Sequence, residues 1–265
     1  MNVYLRETRA GLKPVLFWCL GILLFIAASM QKYSAFSMDP ASLNILNQLP
    51  QPLQDMFGVG YLDFTKISGF YGMVYPFLML MAAVHASMLG AVIISREERD
   101  GVSEFLYAKP ASRLRILTAK CLSALTSTLV FNLAVWAASV AMLGVFGGGE
   151  DMGAALARLM AGLFLIQMVF LSLGVASAAV MARPKAAAGI ATGAMMSAYL
   201  LSIAIDVGGR LGALKALTPF EYFDARRIVG KGEGLAPGSV ALSLALTALL
   251  TGVAYARFGR RDLKL

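Results

Sequence analysis

Six long stretches of this chain carry no charged residue, and they constrain its fold more than any other feature. An α-helix that crosses about 30 Å of lipid hydrocarbon needs about 20 residues, because each residue adds about 1.5 Å. The six stretches cover residues 15–30, 70–95, 121–146, 159–182, 186–205 and 237–256. The sequence therefore predicts an all-α polytopic membrane protein with six transmembrane helices.

The composition agrees with this prediction. The chain has 265 residues, of which 58% are hydrophobic and 14% are charged, whereas a soluble domain has about 45–50% apolar and about 25% charged residues. The figures exclude a soluble globular domain, a disordered chain and a disulfide scaffold. The first stretch follows basic residues as in a signal peptide, but no small-x-small cleavage motif ends it, so we interpret it as a span. Cys19 and Cys121 lie in or beside apolar stretches, which indicates neither a metal site nor a disulfide.

Positively charged loops stay on the cytoplasmic side of a membrane, so the basic residues predict the orientation. Fifteen of the 23 lysines and arginines fall on the side of the two termini. We therefore expect both termini to be cytoplasmic, and we attribute the net charge of +8 to topology and to anionic lipid headgroups rather than to nucleic acid. Residues 206–234 are an exception, with five basic residues on the outer side, most of them offset by Asp206, Glu221, Asp224 and Glu233.

The whole chain, 1–265, is predicted to form a single transmembrane domain. Residues 1–14 suit a short interfacial helix that turns at Pro14. The outer segment 206–236 is expected to contain a helix from about Pro219 to Val229, which either re-enters the membrane or lies on its surface. The other predicted segments follow from the six stretches. Spans 1 and 2 lie in 15–95 and are joined by an outer loop at 31–69, and spans 3 to 5 lie in 121–205 after a cytoplasmic loop at 96–120. Span 6 covers 237–256, and a cytoplasmic tail covers 257–265.

The loop 96–120 contains a short predicted helix. Asp100 or Gly101 can cap it, Ser103 and Glu104 occupy its first turn, and Pro110 ends it. Two helical turns are not stable alone, so this helix needs a surface on which to pack. That surface is either the membrane headgroups or another protein.

Residues for enzyme chemistry are scarce. His85 is the single histidine, so a multi-histidine metal site is excluded, and no Gly-x-x-x-x-Gly-Lys-Ser/Thr loop is present to hold nucleotide phosphates. No span has an Asp, Glu, Lys or Arg in its central part, which argues against coupling to protons or sodium through buried carboxylates. The sequence predicts no catalytic, cofactor or metal residue.

Several polar and small residues in the spans allow two interpretations. His85 either hydrogen-bonds a neighbouring helix or binds a ligand. Gly189, Gly193 and Ser197 repeat every four residues and give a helix-packing face, whose partner is in the same chain or in a second one. Phe77 and Met81 belong to a flexible apolar surface that either lines a passage or contacts lipid.

Two segments resemble the ABC-2 type exporter permeases. One runs from Glu97-Glu98 through Asp100-Gly101-Val102-Ser103-Glu104-Phe105-Leu106 to Lys109-Pro110-Ala111-Ser112-Arg113 and a later Lys120. The other is Leu217-Thr218-Pro219-Phe220-Glu221-Tyr222-Phe223-Asp224, which is similar to the family's Ser-Pro-Phe-x-Tyr-Phe-Asp stretch with Thr in place of Ser. Six spans, cytoplasmic termini and a basic N-terminal helix fit the same family.

The resemblance implies a permease subunit of an ATP-binding-cassette exporter in the plasma membrane of a bacterium. Two such subunits, identical or related, would form the passage as a dimer, and a separate ATPase subunit that binds ATP and Mg would dock beneath each. The implied ATPase-coupling residues are Glu98, Gly101, Glu104, Phe105 and Tyr107. The implied passage-lining residues, on spans 2 and 5, are Phe77, Met81, His85, Thr192 and Met196.

Two other classes of function remain as alternatives. An ATP-independent secondary transporter or channel would move its substrate without a partner. A lipid-acting membrane enzyme would need clustered catalytic carboxylates at one membrane face. The cluster of Glu97, Glu98, Asp100 and Glu104 is interleaved with Arg96 and Arg99, which favours a docking surface instead.

Overall fold

The computed structural model describes residues 3–37, 45–99, 112–181, 184–208 and 212–260. Within these ranges, six helices are long and apolar enough to cross a membrane, and no strand is present. The prediction of an all-α polytopic membrane protein is confirmed. The six long helices are α1 (Val3–Ser37), α3 (Ile67–Arg99), α4 (Arg113–Phe146), α5 (Gly153–Val180), α6 (Pro184–Gly208) and α7 (Pro237–Arg260), and a short helix, α2, covers Gln51–Phe57.

The centre of the bundle is the pair α3 and α5, which are the two most buried spans. Their backbones touch where Gly90 faces Gly174. A Cβ atom added at Gly90 would lie 2.2 Å from the Leu171 carbonyl oxygen, and one added at Gly174 would lie 2.3 Å from that of Ser87. Small residues permit such close approach of helices in membranes. Around this pair, α1 packs on α4, α6 on α3, and α7 on α5.

Hydroxyl groups join the central helix α3 to its neighbours. The Tyr71 and Ser139 hydroxyl oxygens are 2.7 Å apart, and the Tyr75 hydroxyl donates to the Leu159 carbonyl oxygen at 2.8 Å. Both tyrosines are fully buried. These bonds satisfy polar groups that would otherwise be unpaired in the apolar interior.

The ends of the helices define two ends of the bundle. The last turn of α7 meets the first turns of α4, because the Tyr255 and Thr118 hydroxyl oxygens are 2.8 Å apart, and Thr8 of α1 bonds Ser123 of α4 at 3.0 Å. We call this the terminal end, since it holds the start of α1 and the end of α7. The opposite end, which holds α2 and residues 212–236, is the distal end.

The structure corrects the expected turn at Pro14. Residues Val3–Ser37 form one continuous helix with Pro14 inside it, a position that membrane helices tolerate when neighbouring groups compensate for the lost hydrogen bond. The first turns follow α4 rather than leaving the bundle, because the Tyr4 hydroxyl bonds Thr126 and the Thr8 hydroxyl bonds Ser123, both at 3.0 Å.

The connection between the second and third spans is shorter than the predicted loop 96–120. Helix α3 continues to Arg99, and α4 begins at Arg113, with the Ser112 hydroxyl accepting a hydrogen bond from the Arg115 amide. Lys120 is therefore part of α4, not of a loop.

The predicted regular helix from Pro219 to Val229 is wrong. The segment forms short 3₁₀ turns at Gly212–Leu217 and Pro219–Glu221 and a π-helical turn at Arg226–Gly230. Polar side chains of the segment make other hydrogen bonds: the Thr218 hydroxyl donates to the Ala198 carbonyl oxygen of α6 at 2.8 Å instead of capping, and Asp224 accepts from the Arg226 amide at 2.8 Å. The expected apolar positions Phe220, Phe223 and Ile228 are nevertheless buried.

Candidate functional site: spans 2 and 5 and their distal charge cluster

The two spans expected to line a passage, α3 and α6, pack against each other. Phe77 on α3 and Met196 on α6 are exposed by 41% and 37%, and Met81 and Thr192 are half-buried. Residues that line a passage between two subunits must be accessible in one subunit alone. The four residues meet this condition, and their passage-lining role stays a prediction.

His85 has a different environment from these four residues. It is 3% exposed, its ring stacks on Phe131 at a centroid distance of 4.4 Å, and it meets the Trp18 ring edge to face at a centroid distance of 5.6 Å. It thus sits between α1, α3 and α4, and its Nδ1 atom has no hydrogen-bond partner among the described residues. The expected hydrogen bond to a neighbouring helix is not made through Nδ1.

A cluster of charged side chains covers the distal ends of α3 and α6, and Arg226 is its centre. The guanidinium donates to Asp206 Oδ1 through Nη2 at 2.8 Å, to Asp224 Oδ2 through Nε at 2.7 Å and to the Asp55 carbonyl oxygen through Nη1 at 2.9 Å. All three charged side chains are at most 20% exposed. Arg226 therefore ties together α6, the 212–236 segment and α2.

Glu221 forms a second part of this distal charge cluster. Its carboxylate accepts a hydrogen bond from the Ser202 hydroxyl of α6 at 2.7 Å and lies 3.5 Å from Lys215 Nζ. The side chain is 5% exposed. Burial raises the pKa of Glu221 above its ordinary value, and the Ser202 hydrogen bond only partly offsets this effect.

Two clefts meet at Arg226. The deeper one reaches between the 212–236 segment and α3, where Met73, Pro76 and Tyr199 line it together with Glu221. The outer one, of about 320 Å³, is lined by Asp206, Asp224 and Arg226 and by Lys215, Arg227 and Lys231. A mixed set of acidic and basic groups therefore closes the distal ends of the two predicted passage helices.

Lys120 is a charged residue inside the bundle, at the terminal end. It is fully buried, and its Nζ donates to the Ile93 carbonyl oxygen of α3 at 2.6 Å. This carbonyl lies in the last two turns of α3, where the helix dipole favours a positive charge. Lys120 thus joins α4 to the end of α3.

The face formed by Gly189, Gly193 and Ser197 is open. A Cβ atom added at Gly189 or Gly193 would meet nothing within 4 Å, and Ser197 is exposed. No described part of the chain packs on this face. Its role in helix packing stays a prediction, and the partner would have to come from elsewhere.

Comparison with known proteins identifies the family to which this fold belongs. The family model of the ABC-2 family transporter protein matches residues 1–263, nearly the whole chain. The chain belongs to the ABC-2 transporter family. It is a multi-pass membrane permease, and members of this family are the transport subunits of ABC transporters. A comparison with curated proteins gives no match.

The residues proposed to couple this permease to an ATPase fall mostly outside the described residues. Gly101, Glu104, Phe105 and Tyr107 belong to the segment 100–111, and Glu98 is in the last turn of α3. In the sequence, this segment connects α3, which ends at Arg99, to α4, which begins at Arg113.

Sequence analysis missed two features of this permease: the Arg226 cluster and the burial of Lys120. The near balance of acidic and basic residues in 206–234 was the available signal for the first. It did not identify the partners, because Asp206 and Asp55 are 20 and 171 residues away from Arg226. Nothing local distinguishes Lys120 from the exposed Arg113 and Arg115.

Proposed function

We propose that this permease is the transmembrane subunit of an ABC exporter, that it forms the passage with a second permease subunit, and that a separate ATPase drives it. The observation that carries the proposal is the family match over residues 1–263. It is supported by the segment 100–111, which joins two spans at the terminal end and has the family's pattern of acidic, small and aromatic residues.

The segment 100–111 would act as the coupling helix. Glu98, Gly101, Glu104, Phe105 and Tyr107 would contact the ATPase, which binds ATP and Mg while this chain binds neither. The bond between Lys120 Nζ and the Ile93 carbonyl oxygen supports the transmission step, since it links the two helices that flank the segment. A push on the segment would then tilt α3 and α4 together as a rigid unit.

A second permease subunit, identical or related, would complete the passage. The accessibility of Phe77 and Met196 and the open face at Gly189 and Gly193 support this arrangement. His85 is buried, so it would support the passage-lining residues from within the subunit. The distal charge cluster at Arg226 would cover the outer mouth, and the deeper cleft beside Met73 and Pro76 would lead towards it.

The family resemblance suggests the plasma membrane of a bacterium as the location, and the distribution of lysine and arginine supports cytoplasmic termini. The cargo would be amphipathic or apolar, such as a lipid, a peptide antibiotic or a drug, because the spans have no Asp, Glu, Lys or Arg in their central parts.

Co-expression with candidate ABC ATPases, followed by affinity purification through the permease, tests the proposal. We expect the ATPase to co-purify with the unchanged chain and to be lost with Glu104→Arg and with Phe105→Ala. Matched controls are Glu233→Arg at the distal end and Phe17→Ala on the lipid-facing surface of α1, where Phe17 is 78% exposed. Retention of the ATPase by all four variants would contradict the coupling assignment.

The alternative of an ATP-independent transporter or channel requires a second experiment. The purified chain is reconstituted alone in liposomes and tested with fluorescent lipid and drug probes. The proposal predicts no directed transport until the ATPase and ATP are added. Concentrative transport by the chain alone would reject the proposal in favour of a secondary transporter.

A further inference from the structure

An apolar groove opens between α4, α5 and α7 near the terminal end, away from the two predicted passage helices. Its volume is about 170 Å³, and it is lined by Leu122 and Leu125 of α4, Leu171 and Val175 of α5, and Thr251 and Tyr255 of α7. Leu122 is 50% exposed, so the groove is open to the surroundings of the bundle. In a spanning helix those surroundings are lipid hydrocarbon.

The terminal end of this groove has polar and basic groups. The Thr118 and Tyr255 hydroxyls close it with a 2.8 Å hydrogen bond, and tyrosine favours the membrane interface, where its ring is apolar and its hydroxyl is hydrated. Arg115 is exposed and lies one helical turn before Thr118 on the same side of α4. The exposed Arg257 follows Tyr255 by two residues.

The charge at this end is not neutralised by the helices that form the groove. Helices α4, α5 and α7 contain no aspartate or glutamate. The last turn of α7 also lies beside the first turn of α4, since a Cβ atom at Gly259 would be 3.7 Å from the Leu114 side chain. The basic residues of both helices therefore lie at the same end of the bundle.

We propose that this groove is a binding site for an anionic phospholipid, with one acyl chain in the groove and the phosphate at its Thr118–Tyr255 end, within reach of Arg115. An empty apolar cleft loses dispersion contacts, and in a bilayer an acyl chain fills it. Basic residues at headgroup depth select anionic lipid. None of the residues proposed to contact the ATPase or to line the passage is among those that line this groove.

Lipid selectivity at the groove can be measured with a single tryptophan. The chain has two tryptophans, Trp18 and Trp136. The variant Trp18→Phe/Trp136→Phe/Leu122→Trp has its only tryptophan at the groove, and Trp18→Phe keeps only Trp136, farther along α4. Each is reconstituted in phosphatidylcholine with brominated phosphatidylglycerol or with brominated phosphatidylcholine. The bromines occupy the same acyl-chain positions in both lipids. The ratio of quenching by brominated phosphatidylglycerol to quenching by brominated phosphatidylcholine is therefore independent of the depth of the tryptophan.

At Leu122→Trp we expect phosphatidylglycerol to associate about fivefold more strongly than phosphatidylcholine, because one basic residue provides about this selectivity. At Trp136 we expect the two lipids to associate about equally. Adding Arg115→Gln should remove the preference. Arg9→Gln is the matched control, because Arg9 is an exposed arginine of α1 next to Thr8, which bonds Ser123. It should leave the preference unchanged.

Equal ratios at Leu122→Trp and Trp136 would overturn the proposal. So would an equal loss of preference with Arg9→Gln and Arg115→Gln, which would indicate diffuse surface charge in place of a site. If Leu122→Trp does not fold, Leu125→Trp replaces it as the reporter and is judged by the same criteria.

Discussion

At the scale of single residues, two glycines set the closest contact in the bundle. Gly90 and Gly174 bring the backbones of α3 and α5 together, and an added Cβ atom at either one would overlap a carbonyl oxygen of the other helix. Gly189 and Gly193 of α6 have open space around them. For packing within this chain, glycine is therefore required at the first pair and not at the second.

This contrast gives a stability prediction. Gly174→Ala forces α3 and α5 apart and should lower the free energy of unfolding by on the order of 2 kcal/mol, as overpacking does. Gly193→Ala should leave it unchanged or raise it, because alanine favours a helix and nothing lies near its Cβ. Thermal unfolding of both variants in detergent measures the difference. Equal melting temperatures would contradict the close contact.

Glu221 predicts a pH dependence. Its pKa is raised by burial from an ordinary value of 4.5, so the folded state binds the proton more tightly than the unfolded state does. Its contribution to stability therefore grows as the pH falls through the raised pKa, and it is complete below 4.5.

Glu221→Gln provides the comparison, because it keeps an oxygen that accepts the Ser202 hydrogen bond but cannot titrate. We expect the melting temperature of the unchanged protein, relative to that of Glu221→Gln, to increase from pH 7 to pH 5. A constant difference over this range would show that burial does not disfavour the carboxylate.

At the scale of elements, the 212–236 segment is held by side chains more than by its own secondary structure. Its turns are too short to be stable alone, and its apolar residues Phe220, Phe223 and Ile228 are buried. Phe223 packs against Gly162 of α5, where an added Cβ would lie 2.9 Å from the phenylalanine ring. Arg226 then fixes the segment to α6 and α2.

Loss of these contacts should release the segment. Arg226→Gln leaves two half-buried carboxylates, Asp206 and Asp224, without their cation and should cost on the order of 2 kcal/mol of stability. We also expect Arg226→Gln to speed amide hydrogen exchange, relative to the unchanged protein, more in residues 212–230 and α2 than in α5. Arg227→Gln is the matched control, because Arg227 is 57% exposed and pairs with Glu233 at the surface. If the two variants behaved alike, Arg226 would have no special role.

At the scale of the whole molecule, most of the basic residues that form the one exception to the charge rule for orientation are in ion pairs. Among the five basic residues of 206–234, Arg226 pairs with Asp206 and Asp224, Lys215 with Glu221, and Arg227 with Glu233. The four acidic residues of this segment offset most of its positive charge. That the distal end faces the outer side stays a prediction.

Cysteine labelling checks this orientation. In a background with Cys19 and Cys121 replaced by serine, single cysteines at Ser103 and Gly232 should react with a membrane-impermeant maleimide from opposite sides. We expect Gly232→Cys to react in intact cells and Ser103→Cys only after the membrane is opened. Reaction of both from the same side would reject the six-span topology.

The sequence by itself determined the number and approximate position of the spans. Lipid offers no hydrogen bonds to a backbone, so a long charge-free stretch must become a helix whatever surrounds it. Five of the six predicted stretches each lie entirely within a single observed helix. The other one, 159–182, forms α5 and extends only slightly past its last residue, Val180. This property is local, which is why the sequence was sufficient.

Only the tertiary structure decided which faces meet and which charges pair. The spans are apolar on nearly every side, so hydropathy does not distinguish the face of α3 at Gly90 from the face exposed to lipid. The break-up of residues 219–229 depended on Ala198 and Asp206 of another helix. The burial of Lys120 likewise depended on a carbonyl group of α3. Such contacts join residues far apart in the chain, and they exist only once the helices have assembled.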